Sequence, residues 1–258
     1  MCAETPRALN MYDPVEKARQ VAEVVCKDGK RKYHRFRPAP FYGGIATADC
    51  VGCCLGCSFC WSWRQVAKPD AYGKFYSPEE VARNLLSIAR KKRFGQVRIS
   101  GNEPTICRTH LLQVLGLIPS DLHFILEPNG ILIGADPSYA TALTRFPNLH
   151  VRVSLKGTNE EEFARLTGAM PGAYQLQLKA LTHLTQAGVE AHPAVMVSFS
   201  PPSNIATLRE RLAAIHPDFA DFEVEELVLY GGVKERLERA GLAYRTAFEP
   251  ASTPPAQI

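Results

Sequence analysis

The chain has 258 residues, of which 46 % are hydrophobic and 22 % charged, and its formal net charge is +4. This length and composition exclude a disordered protein and predict one large domain with small additions, and the mild charge does not by itself indicate a polyanionic partner. Because no apolar segment is long enough to span a bilayer and the start, MCAETPRALNMYDP, lacks a signal peptide's apolar region, we expect a cytoplasmic protein without membrane contact.

The first predicted element is a helix from Pro14 to about Val25, because Asp13-Pro14-Val15-Glu16 has the pattern of a capping box with proline in the first turn. A basic run with interleaved aromatics, KDGKRKYHRFR, follows between Lys27 and Arg37. We favour a solvated hairpin with Asp28-Gly29 as its turn over a surface that contacts phosphate or an acidic protein. Residues 1–41 are therefore predicted to form a helix and basic hairpin that precede the main domain.

From residue 42 onward, short apolar segments alternate with helical patterns such as the one that Ser77-Pro78-Glu79-Glu80 caps. This alternation predicts parallel βαβ units in a barrel-like or an open doubly wound sheet. Neither a dinucleotide glycine fingerprint nor a phosphate-binding P-loop is present in the sequence. The six predicted strands are Gly43–Val51, Gln96–Ser100, Leu122–Leu126, Leu149–Leu155, Val189–Val197 and Glu226–Tyr230. Residues 233–258 are predicted to form a short helix and a flexible, proline-rich tail.

Polar or glycine-rich sequence follows every one of these strands. Active sites of parallel β/α folds form at the carboxyl ends of the strands, so the six loops are predicted to share one rim. The first loop holds clustered cysteines, and the others begin with Gly101-Asn102-Glu103-Pro104, Glu127-Pro128-Asn129-Gly130, Ser154-Leu155-Lys156-Gly157, Ser198-Phe199-Ser200 and Tyr230-Gly231-Gly232.

The first loop, ADCVGCCLGCSFCW, contains five of the eight cysteines of the chain. In a reducing compartment such a cluster indicates metal binding or redox chemistry. Cys50, Cys53, Cys57 and Cys60 offer a closed zinc site or a fully ligated iron-sulfur cluster. Cys53-x3-Cys57-x2-Cys60 offers three thiolates and leaves one iron of a four-iron cluster open, and Cys50-x3-Cys54-x2-Cys57 repeats that spacing.

The register with Cys53, Cys57, Phe59 and Cys60, taken together with GNEP, resembles the signature of the radical S-adenosylmethionine superfamily. PNGI at Pro128 and SLKG at Ser154 resemble segments of the activating enzymes of glycyl-radical proteins, such as pyruvate formate-lyase activating enzyme. The resemblance implies a partial (β/α)6 TIM-like barrel over residues 42–232, with the preceding residues as a short N-terminal helical extension.

The resemblance also implies the cofactors and their ligands. Cys53, Cys57 and Cys60 would hold a [4Fe-4S] cluster, which cleaves S-adenosylmethionine reductively to a 5′-deoxyadenosyl radical with electrons from a flavodoxin or ferredoxin. The residues implied to bind S-adenosylmethionine are Gly101, Asn102 and Glu103 at the amino group, Lys156 at the carboxylate, and Asn129 and Ser198 near the ribose. Ser154 stands where the activases carry an aspartate, and Asn102 stands where glycine is usual.

The remaining cysteines are not expected to bind the cluster. Cys54 is expected outside the cluster because adjacent cysteines point in different directions, and Cys50 because it lies at the end of a strand. Cys107 lies with His110 after GNEP and is a weak candidate for a catalytic hydrogen donor, although a buried helix cysteine is favoured. Cys2 and Cys26 have no partner pattern.

The substrate stays open in the sequence. The radical would abstract hydrogen from a glycyl-radical protein, a small molecule or a tRNA; the tRNA enzyme of the wybutosine pathway also has a tryptophan where this chain has Trp61. A protein substrate predicts an open rim, and a small substrate predicts a C-terminal segment that closes over the rim from Lys234. A non-catalytic iron-sulfur or zinc protein is the alternative of a different class.

Overall fold

The computed structural model describes residues 11–254. Their centre is one sheet of nine strands: β1 (Cys26–Lys27), β2 (Lys30–Ala39), β3 (Ile45–Cys50), β4 (Lys74–Tyr76), β5 (Gln96–Ser100), β6 (His123–Leu126), β7 (Leu149–Leu155), β8 (Ala191–Met196) and β9 (Glu223–Glu225). The order is β1-β2-β3-β5-β6-β7-β8-β9, and β4 pairs with β2.

Six of these strands, β3 and β5 to β9, run parallel, and helices connect them. This confirms the predicted α/β fold with a partial (β/α)6 barrel. The helices are α1 (Pro14–Val25), α2 (Trp63–Ala67), α3 (Pro78–Lys92), α4 (Arg108–Leu117), α5 (Ile131–Ala135), α6 (Pro137–Leu143), α7 (Glu160–Thr167), α8 (Tyr174–Ala187), α9 (Pro202–Ala213) and α10 (Val233–Arg239). No helix among residues 11–254 has the length and apolarity needed to cross a membrane.

Local sequence explains several helix ends. The Asp13 carboxylate accepts a hydrogen bond from the Val15 amide at the start of α1, and Ser77 and Glu80 form a capping box at the start of α3. Gly188 adopts the left-handed conformation directly after α8, which ends that helix.

The two faces of the sheet carry different residues. Along β3, β5 and β6, Ala48, Ile99 and Leu126 face the helices and belong to the main hydrophobic core. Their sequence neighbours point to the inner face, which we call the lumen, where Arg98 of β5 pairs with Glu127 directly after β6. Strand periodicity thus separates an apolar helix-facing layer from a charged lumen.

The N-terminal hairpin differs from the favoured interpretation. Asp28 and Gly29, with φ of +50° and +73°, form the predicted turn between β1 and β2, and β2 pairs antiparallel with β3. The basic run is solvated only in part: Lys27, Lys30, His34 and Arg35 are exposed. Arg31 and Lys32 are buried, and Arg35 and Arg37 lie opposite Asp49 and Thr47 of β3, on the lumen side.

The sixth parallel strand begins earlier than predicted. β9 occupies Glu223–Glu225, and the predicted residues 226–230 lie beyond it. Their apolar side chains meet the C-terminal segment instead, since Val228 bridges to Phe248 and the Phe248 amide donates to the Leu227 carbonyl. The flexibility predicted for the tail stays a prediction; residues 255–258 and Cys2 lie outside the described residues.

Candidate active site

The loop after β3 carries the cysteine motif, and neighbouring elements hold it by its backbone. The amides of Gly56 and Ser58 donate to the carbonyls of Thr167 and Leu166, at the end of α7. The Tyr12 hydroxyl accepts from the Gly56 amide at 2.8 Å and donates to the Thr167 carbonyl at 3.1 Å. The end of α7 and the Tyr12 hydroxyl therefore hold the position of the loop through its backbone.

From the other side, Arg236 of α10 reaches the same loop. Its guanidinium donates to the carbonyl of Ser58 at 3.1 Å and of Cys60 at 2.5 Å, and it lies over the Trp63 ring. Because α10 follows β9, this contact joins the last parallel strand to the loop of the first.

The three thiols of the predicted register lie in a desolvated environment. A hydrogen bond with Cys54 outweighs burial and lowers the pKa of Cys53. Burial raises the pKa of Cys57 and of Cys60, the latter to about 11, while the nearby charge of Lys156 opposes this rise. Lys156 also lowers the pKa of Cys53, so the charge of one ammonium acts on all three thiols.

Cys54 does not point away from Cys53. The Asn129 side-chain amide lies 3.3 Å from Cys54 Sγ and 3.7 Å from Cys53 Sγ, so both sulfurs face one donor. The expectation that adjacent cysteines diverge is wrong here, because this alternation requires extended backbone and the loop after β3 is irregular.

The GNEP loop after β5 packs directly against the start of the cysteine loop. Gly101 has φ of +100°, and a Cβ there would lie 2.9 Å from Asp49 Cα and from the Cys50 amide nitrogen, so only glycine fits. Asn102 Oδ1 accepts from the Gly52 amide, whereas its Nδ2 is buried without a partner in the described residues.

Glu103 is buried and joins two loops of the rim. Its carboxylate accepts from the Thr105 amide at 3.0 Å and from the Asn129 amide at 2.7 Å. Burial raises the pKa of Glu103, although these hydrogen bonds oppose the rise. Glu103, Asn129 and the Cys53–Cys54 pair therefore form one chain of contacts across three strand ends.

Of the predicted residues after β7 and β8, Lys156 and Ser154 lie near Glu225. Lys156 Nζ is 3.8 Å from Glu225 Oε2, and the Ser154 hydroxyl donates to the Glu225 carboxylate. The Ser198 hydroxyl accepts from the Leu227 amide and bonds to Thr246. Its predicted place near the ribose stays a prediction.

Gln177, which was not predicted from the sequence, contacts three residues of this rim from helix α8. The side chain of Gln177 in α8 is fully buried; it donates to the carbonyls of Asn129 and Ser154 and accepts from the Lys156 amide. No local motif marks Gln177, Tyr12 or Arg236, because their partners lie far along the chain. A glutamine on the otherwise buried face of α8 was the one available signal.

Cys107 is not a thiol in this structure. It forms a disulfide with Cys26, 81 residues away along the chain and with the Cα atoms 6.0 Å apart. The bond lies among Val21, Val25 and Val51, next to the GNEP loop. A disulfide has no S–H hydrogen to donate, so this structure corrects the weak catalytic candidacy of Cys107 and the unassigned role of Cys26.

Cys50 is also placed away from the predicted register. It lies at the end of β3, 1 % exposed, and belongs to the main hydrophobic core on the helix-facing side. Burial raises its pKa, and the adjacent Arg31 opposes this.

The residues present fit a cluster and a zwitterionic cofactor. The unpartnered Asn102 Nδ2, the positive charge of Lys156 and the free thiols of one loop are features that such ligands need. Among residues 11–254, no three His, Cys, Asp or Glu side chains have the geometry of a single metal ion. Thiolates of a four-iron cluster bind different irons, so they need not converge on one point.

A sequence profile of the Radical SAM superfamily matches residues 49–210, which is more than half of the chain. The matched part includes the cysteine loop, the GNEP loop and the strands from β5 to β8.

Two kinds of similar protein accompany this match. A probable GTP 3′,8-cyclase of Methanosarcina acetivorans is 29 % identical over 140 residues, which are 53 % of this chain and 40 % of the relative; a probable GTP 3′,8-cyclase of Methanosarcina mazei is 26 % identical. The structure of Streptococcus suis SuiB bound to S-adenosylmethionine aligns with a TM-score of 0.56 at 18 % identity, over 74 % of this chain and 44 % of SuiB. TYW1 with a lysine-pyruvate adduct aligns with a TM-score of 0.51 at 15 % identity, over 76 % of this chain and 71 % of TYW1.

Proposed function

This chain belongs to the radical SAM superfamily, whose enzymes use a [4Fe-4S] cluster and S-adenosylmethionine, and we propose that Cys53, Cys57 and Cys60 hold the cluster. The cofactors supply reductive cleavage of S-adenosylmethionine to methionine and a 5′-deoxyadenosyl radical, which abstracts hydrogen from a substrate in the lumen.

One observation carries the proposal. A single set of contacts joins the ends of β3, β5 and β6, because Asn129 reaches the Cys53 and Cys54 sulfurs while its own amide donates to Glu103. The charge of Lys156 from the end of β7 acts on the three proposed ligands. The predicted cofactor residues of four different loops thus converge on one rim.

The chain's own residues have distinct tasks in this proposal. Lys156 stabilises thiolates and offers a cation to a carboxylate, and Asn102 offers an unpartnered amide donor. Gly101 lets the GNEP loop pack directly against the backbone of Asp49 and Cys50. Arg236 and Tyr12 keep the cysteine loop in place.

We favour a small-molecule substrate. The C-terminal segment lies against the rim, since Arg236 bonds to the cysteine loop and the Arg245 amide donates to the Ser198 carbonyl. Such a cover leaves less room for a protein loop. The similarity to probable GTP 3′,8-cyclases also supports a small-molecule substrate. Because the match spans 40 % of that relative, we do not assign the relative's substrate to this chain.

Two other substrates from the sequence receive less support. The resemblance to pyruvate formate-lyase activating enzyme rests on PNGI and SLKG alone, and no comparison supports glycyl-radical activation. TYW1 is similar at 15 % identity, which shows the fold alone, and RNA modification stays the alternative that the sequence left open. A flavodoxin or ferredoxin remains the proposed electron donor.

The decisive experiment is anaerobic reconstitution with iron and sulfide, followed by dithionite reduction in the presence of S-adenosylmethionine. We expect 5′-deoxyadenosine and methionine in equal amounts. A reduced protein that contains a four-iron cluster and forms no 5′-deoxyadenosine would contradict the proposal.

The ligand register has a separate test in Cys60→Ala and its matched control, Cys50→Ala. We expect the first variant to lose the iron-sulfur absorbance and most of its iron, and the second to retain both. The opposite result would assign the cluster to Cys50, Cys54 and Cys57 while leaving the family unchanged.

A further inference from the structure

Two arginines of the basic run share one carboxylate on the lumen side of the sheet. Arg35 Nε lies 2.5 Å and Arg37 Nε 2.9 Å from Asp49 Oδ2, and Arg37 Nη2 lies 3.4 Å from Oδ1. The Asp49 side chain is 2 % exposed, whereas that of Arg35 is 45 % and that of Arg37 25 % exposed. Two cations over one anion leave one unit of positive charge that faces solvent.

Within the described residues, the outward nitrogens of this pair make no side-chain hydrogen bond to the protein. Within residues 11–254, the side-chain hydrogen bonds of Arg35 use Nε alone, and those of Arg37 leave Nη1 unused. A guanidinium presents its donors in a planar fork that matches the oxygens of phosphate and carboxylate. Asp49 fixes both forks in place before any ligand arrives.

This pair lies beside the proposed cofactor site. The guanidinium of Arg35 is 5.6 Å from the ring centroid of Trp61, which directly follows the proposed ligand Cys60 and is 42 % exposed. On the other side, the backbone of Asp49 supports Gly101 of the GNEP loop. Arg35 therefore lies beside the cysteine loop, and both arginines belong to β2, which pairs with β3 on the side opposite β5.

The other lumen cations in the described part of the chain are matched by acids. Arg98 pairs with Glu127 at 2.9 Å. Arg152 pairs with both Glu223 and Glu225, and Lys156 lies near Glu225. Excess positive charge in the lumen is therefore concentrated at Arg35 and Arg37.

We propose that Arg35 and Arg37 bind an oxyanion of the substrate, a phosphate or a carboxylate group, at the mouth of the lumen, with the exposed ring of Trp61 beside it. This inference rests on the proposed function, because it assigns the substrate class of the same site. It also gives the basic run of the sequence a role that a solvated hairpin does not have.

The test measures binding of two simple oxyanions, inorganic pyrophosphate and malonate, to the reconstituted protein by isothermal titration calorimetry. The variants are Arg35→Gln and Arg37→Gln, each of which leaves Asp49 one arginine partner. The matched control is Lys30→Gln, which removes the same charge from an exposed position at the start of β2. Arg35→Lys and Arg37→Lys retain the charge, and thermal melting confirms that each variant is folded.

We expect at least one probe to bind the wild type, at least ~10-fold weaker binding in each glutamine variant and partial recovery in the lysine variants, since hydrogen bonds to charged groups are strong. The probe that binds more tightly distinguishes phosphate from carboxylate. Absence of binding by both probes, or an equal loss in Lys30→Gln, overturns the inference. Formation of 5′-deoxyadenosine by the wild type without substrate is scored separately, so failure of the proposed function is recognised independently.

Discussion

The helix-facing layer and the lumen are built from alternate residues of the same strands, yet they differ in nearly every chemical property. Ala48, Ile99 and Leu126 bury apolar surface against helices, while Asp49, Arg98 and Glu127 form ion pairs on the opposite face. Apolar burial stabilises a fold by about 25 cal/mol per Å², whereas a buried ion pair contributes little net stability. The difference indicates that the helix-facing layer maintains the fold and that the lumen charges serve binding.

The largest expected effect is on stability, and it concerns the Cys26–Cys107 disulfide. Reduction of the Cys26–Cys107 disulfide should lower the free energy of unfolding by up to about 4 kcal/mol, because the bond closes a long loop of 81 residues. Urea denaturation with and without dithiothreitol measures the change. The variant Cys26→Ala/Cys107→Ala should not respond to the reductant, and a wild type that is equally stable in both conditions would contradict the prediction.

The contribution of the main hydrophobic core to stability is tested by Leu85→Ala in α3. Leu85 is fully buried in the main core, and we expect a loss of about 3 kcal/mol of unfolding free energy from lost burial and the remaining cavity. Leu117→Ala is the control, because Leu117 at the end of α4 is 42 % exposed and its truncation should change stability little. Equal losses of unfolding free energy in both variants would refute the assignment of stability to the helix-facing layer.

At the rim, Gly101→Ala should lower stability by about 2 kcal/mol and weaken binding of S-adenosylmethionine. The new Cβ meets the backbone of Asp49 and Cys50, and the positive φ is strained for alanine. Gly95→Ala is the matched control, since nothing lies within 4 Å of its Cβ position and its φ is not positive. Denaturation and equilibrium dialysis measure the two effects; a Gly101→Ala protein with wild-type affinity would remove Gly101 from the cofactor site.

The smallest effect concerns the lumen charges and pH. Burial raises the pKa of Glu223, but hydrogen bonds from Arg152 and His192 outweigh it and lower the pKa from its usual 4.5 to about 2. The ionised pair therefore stabilises the fold above pH 4.5, and this contribution is lost as the pH falls toward 2. Because 38 % of the side chain is exposed, we expect about 1 kcal/mol.

Denaturation between these pH values compares the wild type with Glu223→Gln, which should lack this part of the pH dependence. Glu161→Gln, at an exposed position of α7, should retain it. An unchanged pH profile in Glu223→Gln would show that the lumen pair does not contribute to stability.

The features that the sequence predicted correctly depend on neighbours along the chain. Proline after an N-capping aspartate gave the bounds of α1, and Gly188 gave the end of α8. The parallel β/α organisation of the sheet follows from the alternation of patterns.

The features that the sequence did not predict depend on distant partners. The residues after β9 look like a strand, but they pair with Phe248 rather than with β8. The disulfide joins cysteines without a spacing pattern, and Arg31 is buried because its guanidinium donates to the carbonyls of Val51 and Glu103. Such contacts are properties of the folded chain and leave no local pattern.

The side-chain amide of Gln177 affects the affinity with which this rim can bind a ligand. It holds the carbonyls of Asn129 and Ser154 and the amide of Lys156 at fixed separations, and it does so from a helix rather than from the rim itself. A ligand that enters between these loops meets backbone whose conformational entropy was already lost when the chain folded. Its affinity then reflects the contacts it makes, because little of the binding energy is consumed in ordering the loops.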